Sequence, residues 1–292
     1  MRRVSLLLCI ALLVGCGHQG QQAASSAAPS DKEIVDAYTY LYGRYLVLQQ
    51  EAHDINVEKV GYNKVKYNPL GSAAFVNPNL DVAYLEAWIA VDPTHAVILN
   101  VPKVQGRYYT AELLNGWGEV VANVNERTFP KTPNGKFALV MKGTAPTIPA
   151  DAVKIEVPCT KTKMLARVEL KGTPAVAKKL QEEFTLTAPD GIDIASPLTI
   201  PDFTNAKPIG GEIFQNVDQV IATCEDAMPS AKEMQGIAKK VETYRNSSPE
   251  AKARVDFRCD RAGDPRISCG SEGVWNPEGW MVRNLQGWQV RR

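Results

Sequence analysis

Six polar side chains carry the best candidate chemistry in this sequence. Asn79, Asp81 and Tyr84 stand close together in the run Asn-Leu-Asp-Val-Ala-Tyr. If Asp81 opens a strand, it shares a face with its i+2 neighbours, and Asn79 brings an amide beside the carboxylate. Arg107 and Tyr109 would project to one face of a later strand, and Arg167 adds a guanidinium on a third. A carboxylate, an amide, phenols and guanidinium groups meeting in a concave sheet suit a small polar or anionic ligand. In an enzymatic version of that site, Asp81 is the acid or base. The same residues also have a structural reading. Asn-x-Asp at a strand entrance caps a turn through its side chains, and Arg107 or Arg167 can neutralise Asp81.

Other chemistry is sparse. The sequence has no G-x-S-x-G, H-E-x-x-H, G-x-x-x-x-G-K-[ST] or strand-borne G-x-G-x-x-G motif. Of three histidines, His18 lies in a polar N-terminal stretch, His53 ends the first helical pattern and His95 follows Asp92-Pro93-Thr94 in a turn. Surface or capping roles suit both of the latter. No close C-x₂-C pair exists to build a zinc site, so neither a metal nor another cofactor is expected.

The N-terminus reads as an address. Met1-Arg2-Arg3 precedes eleven mostly apolar residues, too few for a permanent span but suited to an export signal. The run stops at Leu13-Val14-Gly15-Cys16, a bacterial lipobox whose cysteine thiol would take the lipid. Residues 1–15 are then a signal peptide and 16–29 a small, polar, flexible tether. Gly17 is not Asp, which favours the outer membrane facing the periplasm. Six cysteines are written; with Cys9 removed and Cys16 lipidated, four remain. An even number in an oxidising compartment argues for two disulfides with three possible connectivities. Cys259–Cys269 is easiest to close, leaving Cys159–Cys224, worth at most about 3 and about 4 kcal/mol by loop entropy.

These residues need elements to position them. Ser30 and Glu33 form a capping box, and Ile34, Ala37, Tyr38, Leu41, Tyr45 and Leu48 recur at helical spacing, predicting a helix over 30–52. Residues 61–79 read as irregular. Strands are expected at 82–91, 96–101, 107–114, 119–124, 137–141, 153–157 and 163–170. In the last, Met164, Ala166, Val168 and Leu170 form one apolar face while Lys163, Leu165, Arg167 and Glu169 point away. The connections are too short for helical crossovers, so the sheet is expected to be antiparallel. Thr173-Pro174 opens a helix, 192–211 is a connection, and 216–227 and 230–245 are helical, with a second capping box at Ser230 and Glu233. Ser248-Pro249 starts a short helix. Residues 256–292, with Cys259, Cys269, Trp275, Trp280, Trp288 and many arginines, read as a disulfide-bearing tail that covers a flank of the main domain.

Composition sets the outer limits. With 292 residues, 45% hydrophobic and 22% charged, the chain can build a real core. Lys plus Arg number 33 against 32 for Asp plus Glu, so no charge excess argues for nucleic acid. No apolar run reaches the roughly 18 residues of a membrane span.

The stretch from about 33 to 187 resembles the DUF 1254 family, a domain of unknown function. Tyr40 to Leu48 is similar to its opening helix, and Asn77-Pro78-Asn79-Leu80-Asp81-Val82-Ala83-Tyr84 to its most recognisable motif. Val97 to Pro102 and Gly106-Arg107-Tyr108-Tyr109 resemble its next strands, and Arg167 and Gln181 sit where the family has Arg and Gln. Two positions depart: the family's Asp-Thr is Asp81-Val82, and its Asp before a strand-borne Trp is Asn115. No DUF 1214-type domain follows residue 190. The resemblance implies an α+β fold, a mostly antiparallel β core with an N-terminal helix and C-terminal helices. It divides the mature chain into a DUF 1254-like domain (30–190), a helical extension (191–255) and the tail. The expected role is a lipid-anchored envelope protein, a non-enzymatic module binding a small polar or anionic ligand or an envelope protein partner. The alternative is an envelope enzyme acting through Asp81.

Overall fold

The computed structural model describes residues 27–72, 78–204 and 206–263. Cys16, the signal and most of the tether, Cys269 and Trp275, Trp280 and Trp288 lie outside them.

The chain enters through α1 (Asp31–Ala52). The Ser30 hydroxyl accepts the Glu33 N–H, and the Ser30 N–H donates to the Glu33 carboxylate, closing the expected capping box. All six apolar positions of the helical stripe are buried. A π-helical turn, His53–Val57, ends the helix. Nine strands follow: β1 (Lys66–Tyr67), β2 (Val82–Ala90), β3 (Val97–Val101), β4 (Tyr109–Leu114), β5 (Val120–Val124), β6 (Gly135–Met141), β7 (Val153–Val157), β8 (Lys161–Glu169) and β9 (Thr185–Thr187). They form a five-stranded sheet, β1-β2-β8-β4-β5, and a four-stranded sheet, β7-β6-β3-β9. Five helices are described in all, the others being α2 (Pro174–Glu182), α3 (Val217–Ala222), α4 (Ala231–Arg245) and α5 (Pro249–Gly263).

This is the expected α+β architecture, resolved into three layers. The two sheets face each other over one core that includes Leu85, Ile89, Leu99, Leu113, Phe137, Leu139, Met164 and Val168. Ala177 of α2 and Phe184 join the same core. A second core gathers Ile34, Leu41, Tyr45 and Leu48 of α1 with Phe214, Val217, Val241 and Val255. The other side of α1 lies over the outer face of the five-stranded sheet. The layers therefore run four-stranded sheet, five-stranded sheet, helices.

Several local expectations are corrected. β6 and β7 are parallel, pairing Phe137 with Val153 and Met141 with Val157. Residues 142–152 return without a helix, because at about 3.3 Å per extended residue they easily cover a five-residue strand. β1 lies in the stretch read as irregular, and β9 lies between the helix opened at Thr173-Pro174 and the 192–211 connection, where no element is expected. At α4, Ser230 has φ −86° and ψ 1° rather than an extended backbone, and its side chain makes no cap bond. The helix expected over 216–227 is only Val217–Ala222, entered from Asn216 in the left-handed conformation. Conversely, α5 continues to Gly263, so the boundary drawn at 255/256 runs through a helix. Cys159–Cys224 is bonded as expected. Cys259 is buried and has no disulfide partner among the described residues.

Candidate functional site

The outer face of the five-stranded sheet is a grid of three strands by three rows. Pairing sets Trp88, Lys163 and Leu114 in one row, Glu86, Leu165 and Glu112 in the next, and Tyr84, Arg167 and Thr110 in the third. Strand alternation sends all nine side chains away from the sheet-to-sheet core. Each cation lies against an aromatic ring: Lys163 Nζ is 5.3 Å from the Trp88 centroid and the Arg167 guanidinium 5.6 Å from that of Tyr84.

α1 covers the first row. Leu46, Val47 and Gln50 face Glu86, Trp88, Leu114, Lys163 and Leu165 across a cavity of about 230 Å³, closed at one side by Asn115 and Gly118. Its walls are mostly apolar and its end is ionic. Lys163 Nζ donates to Asp54 Oδ2 at 2.7 Å and pairs with Glu86 Oε2 at 2.9 Å. Trp88 Nε1 and Gln50 Nε2 also donate to Asp54, and Asn68 Nδ2 to Glu86. Asp54 and Glu86 are 2% and 4% exposed, so these bonds replace almost all their hydration. Burial works to raise the Asp54 carboxyl, but the Lys163 charge and three hydrogen bonds outweigh it and hold the group below the ordinary carboxylate range. A second buried pair sits one strand position along, where Lys161 donates to Glu51 at 2.6 Å and Tyr62 shares the same oxygen. Burial and that carboxylate push the Tyr62 phenol up.

Of the residues singled out from sequence, Tyr84 and Arg167 stand together on this face. Arg167 also pairs with Glu112 at 3.2 Å, and its Nε has no hydrogen-bond partner among the described residues. Asn79 acts as a turn cap: its side chain accepts the Asp81 N–H at 2.8 Å, and its own N–H donates to the Tyr84 hydroxyl at 2.9 Å. Asp81 is exposed at the entrance of β2 and does not line the cavity. Arg107 and Tyr109 do not join the group. Arg107 precedes β4 and spends its guanidinium on the Glu169 and Leu170 carbonyls and Thr173. Tyr109 pairs with Val168, which puts its ring in the sheet-to-sheet core and its hydroxyl on the Pro133 carbonyl.

Neither described histidine is set up as a base. His53 lies 3.7 Å from Glu58 in an exposed position. His95 shares one nitrogen, Nδ1, between Asp92 and Thr94, whereas a relay needs both ring nitrogens. Asp92 meanwhile accepts the Thr94, His95 and Asp193 N–H groups, which makes it a loop organiser. Sequence reasoning missed Glu86, Asp54 and Glu112. The available signal was Glu86 itself, a lone carboxylate inside the apolar run 82–91.

Residues 57–188 match the family described as "Protein of unknown function (DUF1254)". The match begins after α1, so Tyr40 to Leu48 fall before it, while the whole sheet grid lies inside. No curated protein matches the chain. Among solved structures, the chain is similar to the VPA0106 protein from Vibrio parahaemolyticus, at 15% identity and a TM-score of 0.46, covering 87% of this chain and 73% of that one. It is also similar to an uncharacterized protein from Burkholderia cenocepacia, at 12% identity and a TM-score of 0.30, covering 80% of this chain and 63% of that one.

Proposed function

Residues 57–188 belong to the DUF1254 family, and from that premise we propose that this protein is a lipid-anchored envelope protein with a non-enzymatic binding role. Cys16 carries the lipid at the outer membrane, and the cavity between α1 and the sheet takes a small ligand. The cavity is the observation that supports this reading: about 230 Å³, largely apolar, with a few polar groups at one end. Those groups also refine the ligand class. Asp54, Glu86 and Glu58 outnumber Lys163 and Lys66, which they already engage. The site therefore suits an apolar body with a neutral or cationic polar group better than an anion. An envelope protein partner would meet the same face where Glu112 and Arg167 are half-exposed.

Two measurements test the two parts. Labelled palmitate should enter the wild-type protein in its host and not Cys16→Ser; an unlabelled wild type overturns the anchor. Native mass spectrometry of protein purified from its host should show a retained small molecule that Leu165→Trp, which fills the cavity, releases. Empty wild-type protein, with no thermal shift across a panel of small amphiphiles, overturns the binding role.

A further inference from the structure

The Cys159–Cys224 bond ties the turn between β7 and β8 to the chain just past α3, across 65 residues of sequence. Its two sulfurs have unlike surroundings. Cys224 Sγ accepts the Gly116 N–H at 3.2 Å. Arg44 reaches the same glycine from α1, its Nη1 donating to the Gly116 carbonyl at 2.5 Å. Arg44 Nη1 and Cys224 Sγ each lie 3.1 Å from where a Cβ on Gly116 would stand, so cation and sulfur face one another across a residue without a side chain. Arg44 is 4% exposed, and its other bond goes to the neutral Thr223 hydroxyl at 2.7 Å. No carboxylate hydrogen-bonds to it, and its Nε has no partner among the described residues. Burial draws the guanidinium down to about 10, still charged at neutral pH. The Glu51 carboxylate acts on it only through space, being bonded to Lys161 and Tyr62, and a buried cation so weakly compensated favours an anion forming beside it. Among the described residues, Cys159 Sγ receives neither an N–H nor a cation.

We propose that Cys159–Cys224 is a reducible couple of fixed polarity, in which a dithiol reductant attacks Cys159 Sγ and Cys224 leaves as a thiolate held by the Gly116 N–H beside Arg44. The better-stabilised thiolate is the better leaving group. In the first step the Cys159–Cys224 bond breaks and a bond forms between Cys159 and one reductant sulfur. The second reductant thiol then attacks its own partner sulfur, closing the reductant's disulfide and freeing Cys159, which takes a proton. Two electrons pass to the protein, and the remaining thiol proton goes to solvent while Cys224 stays ionised. Exposed Thr160, Thr223 and Glu225 flank the two cysteines, so the bond lies one layer below the surface. Reduction bears on the cavity too. Trp117 donates to the Cys224 carbonyl at 3.0 Å, and its neighbours Asn115 and Gly118 line the cavity wall. Cutting the bond frees the segment past α3 from the β7–β8 turn and leaves its hold on that wall to hydrogen bonds alone.

The test uses the folded mature chain. It is treated with dithiothreitol, then alkylated with limiting iodoacetamide over a pH series, and labelled cysteines are mapped by mass spectrometry. Cys224 should label ahead of Cys159, with a pH midpoint at least about one unit below the ordinary thiol value near 8.5. Cys259, whose thiol burial pushes well up, serves as the unreactive internal reference. In Arg44→Met the Cys224 midpoint should rise toward the ordinary value; an unmoved midpoint overturns the role of Arg44. Equal or faster labelling of Cys159 in the wild type overturns the polarity. A bond that yields only when denaturant unfolds the chain overturns the couple itself.

Discussion

Lys163 is the side chain on which the sheet's outer face depends. Removing it leaves Asp54 and Glu86 buried with only the through-space charge of Lys66, which is bonded to Glu58, the costly way to break an ionic cluster. Lys163→Met should destabilise the fold by about 3–5 kcal/mol in urea unfolding. The pH dependence has a fixed sign. Asp54 is held below its unfolded value, so its contribution is complete above the ordinary carboxylate range and lost as pH falls through that range toward its lowered folded value. Stability of the wild type should fall over that acid window, and the fall should shrink in Lys163→Met, whose Asp54 lacks the lowering charge. A steeper acid loss in the variant counts against this account. At this scale the sequence was half legible. Tyr84 is reached only through its closeness to Asp81 in sequence, the pairing of β2 with β8 setting it beside Arg167, but the outward turn of Arg167 was legible from alternation. Arg107 was not, because the chain turns at Gly106, where φ is 67°, and carries it to backbone carbonyls instead. Asp54 reaches the site only through a π turn that no periodicity announces.

Two helix starts carry the same Ser-x-x-Glu pattern and differ in what it does. At α1 both reciprocal bonds form; at α4 the Ser230 backbone is turned and the hydroxyl caps nothing. Ser30→Ala should therefore cost about 1 kcal/mol, and Ser230→Ala should stay within about 0.5 kcal/mol, both read from unfolding midpoints. Equal losses would mean that the pattern, rather than the geometry, stabilises the helix. Long elements declared themselves: β8 alternates over nine residues between two neighbours, and the α1 stripe is buried along its whole length. β1 and β9, two and three residues long, did not, since each exists only through pairing with β2 or β3. The parallel β6–β7 pair was equally hidden, because short links exclude a helix but not an extended return.

Two large cores and a small third cluster around Ala96, Ala138 and Val140 organise the described residues, and the second core depends on the far end of α5. Val255 and Cys259 are fully buried against the helical layer. A chain ending at Val255 should melt more than about 6 °C below one ending at Gly263. Equal midpoints would restore a boundary at 255/256. That boundary follows composition, which changes at the cysteine- and tryptophan-bearing stretch, whereas the packing of α5 runs on unbroken through Val255 and Cys259. The same helix closes a joint at the start of the fold. Arg254 donates to the Pro29 carbonyl at 3.0 Å and to Asp31 at 2.7 Å, and Arg258 pairs with Asp31 as well. On the proposed anchor, a pull on the chain ahead of Pro29 would therefore be shared between the first and last described helices instead of falling on α1 alone.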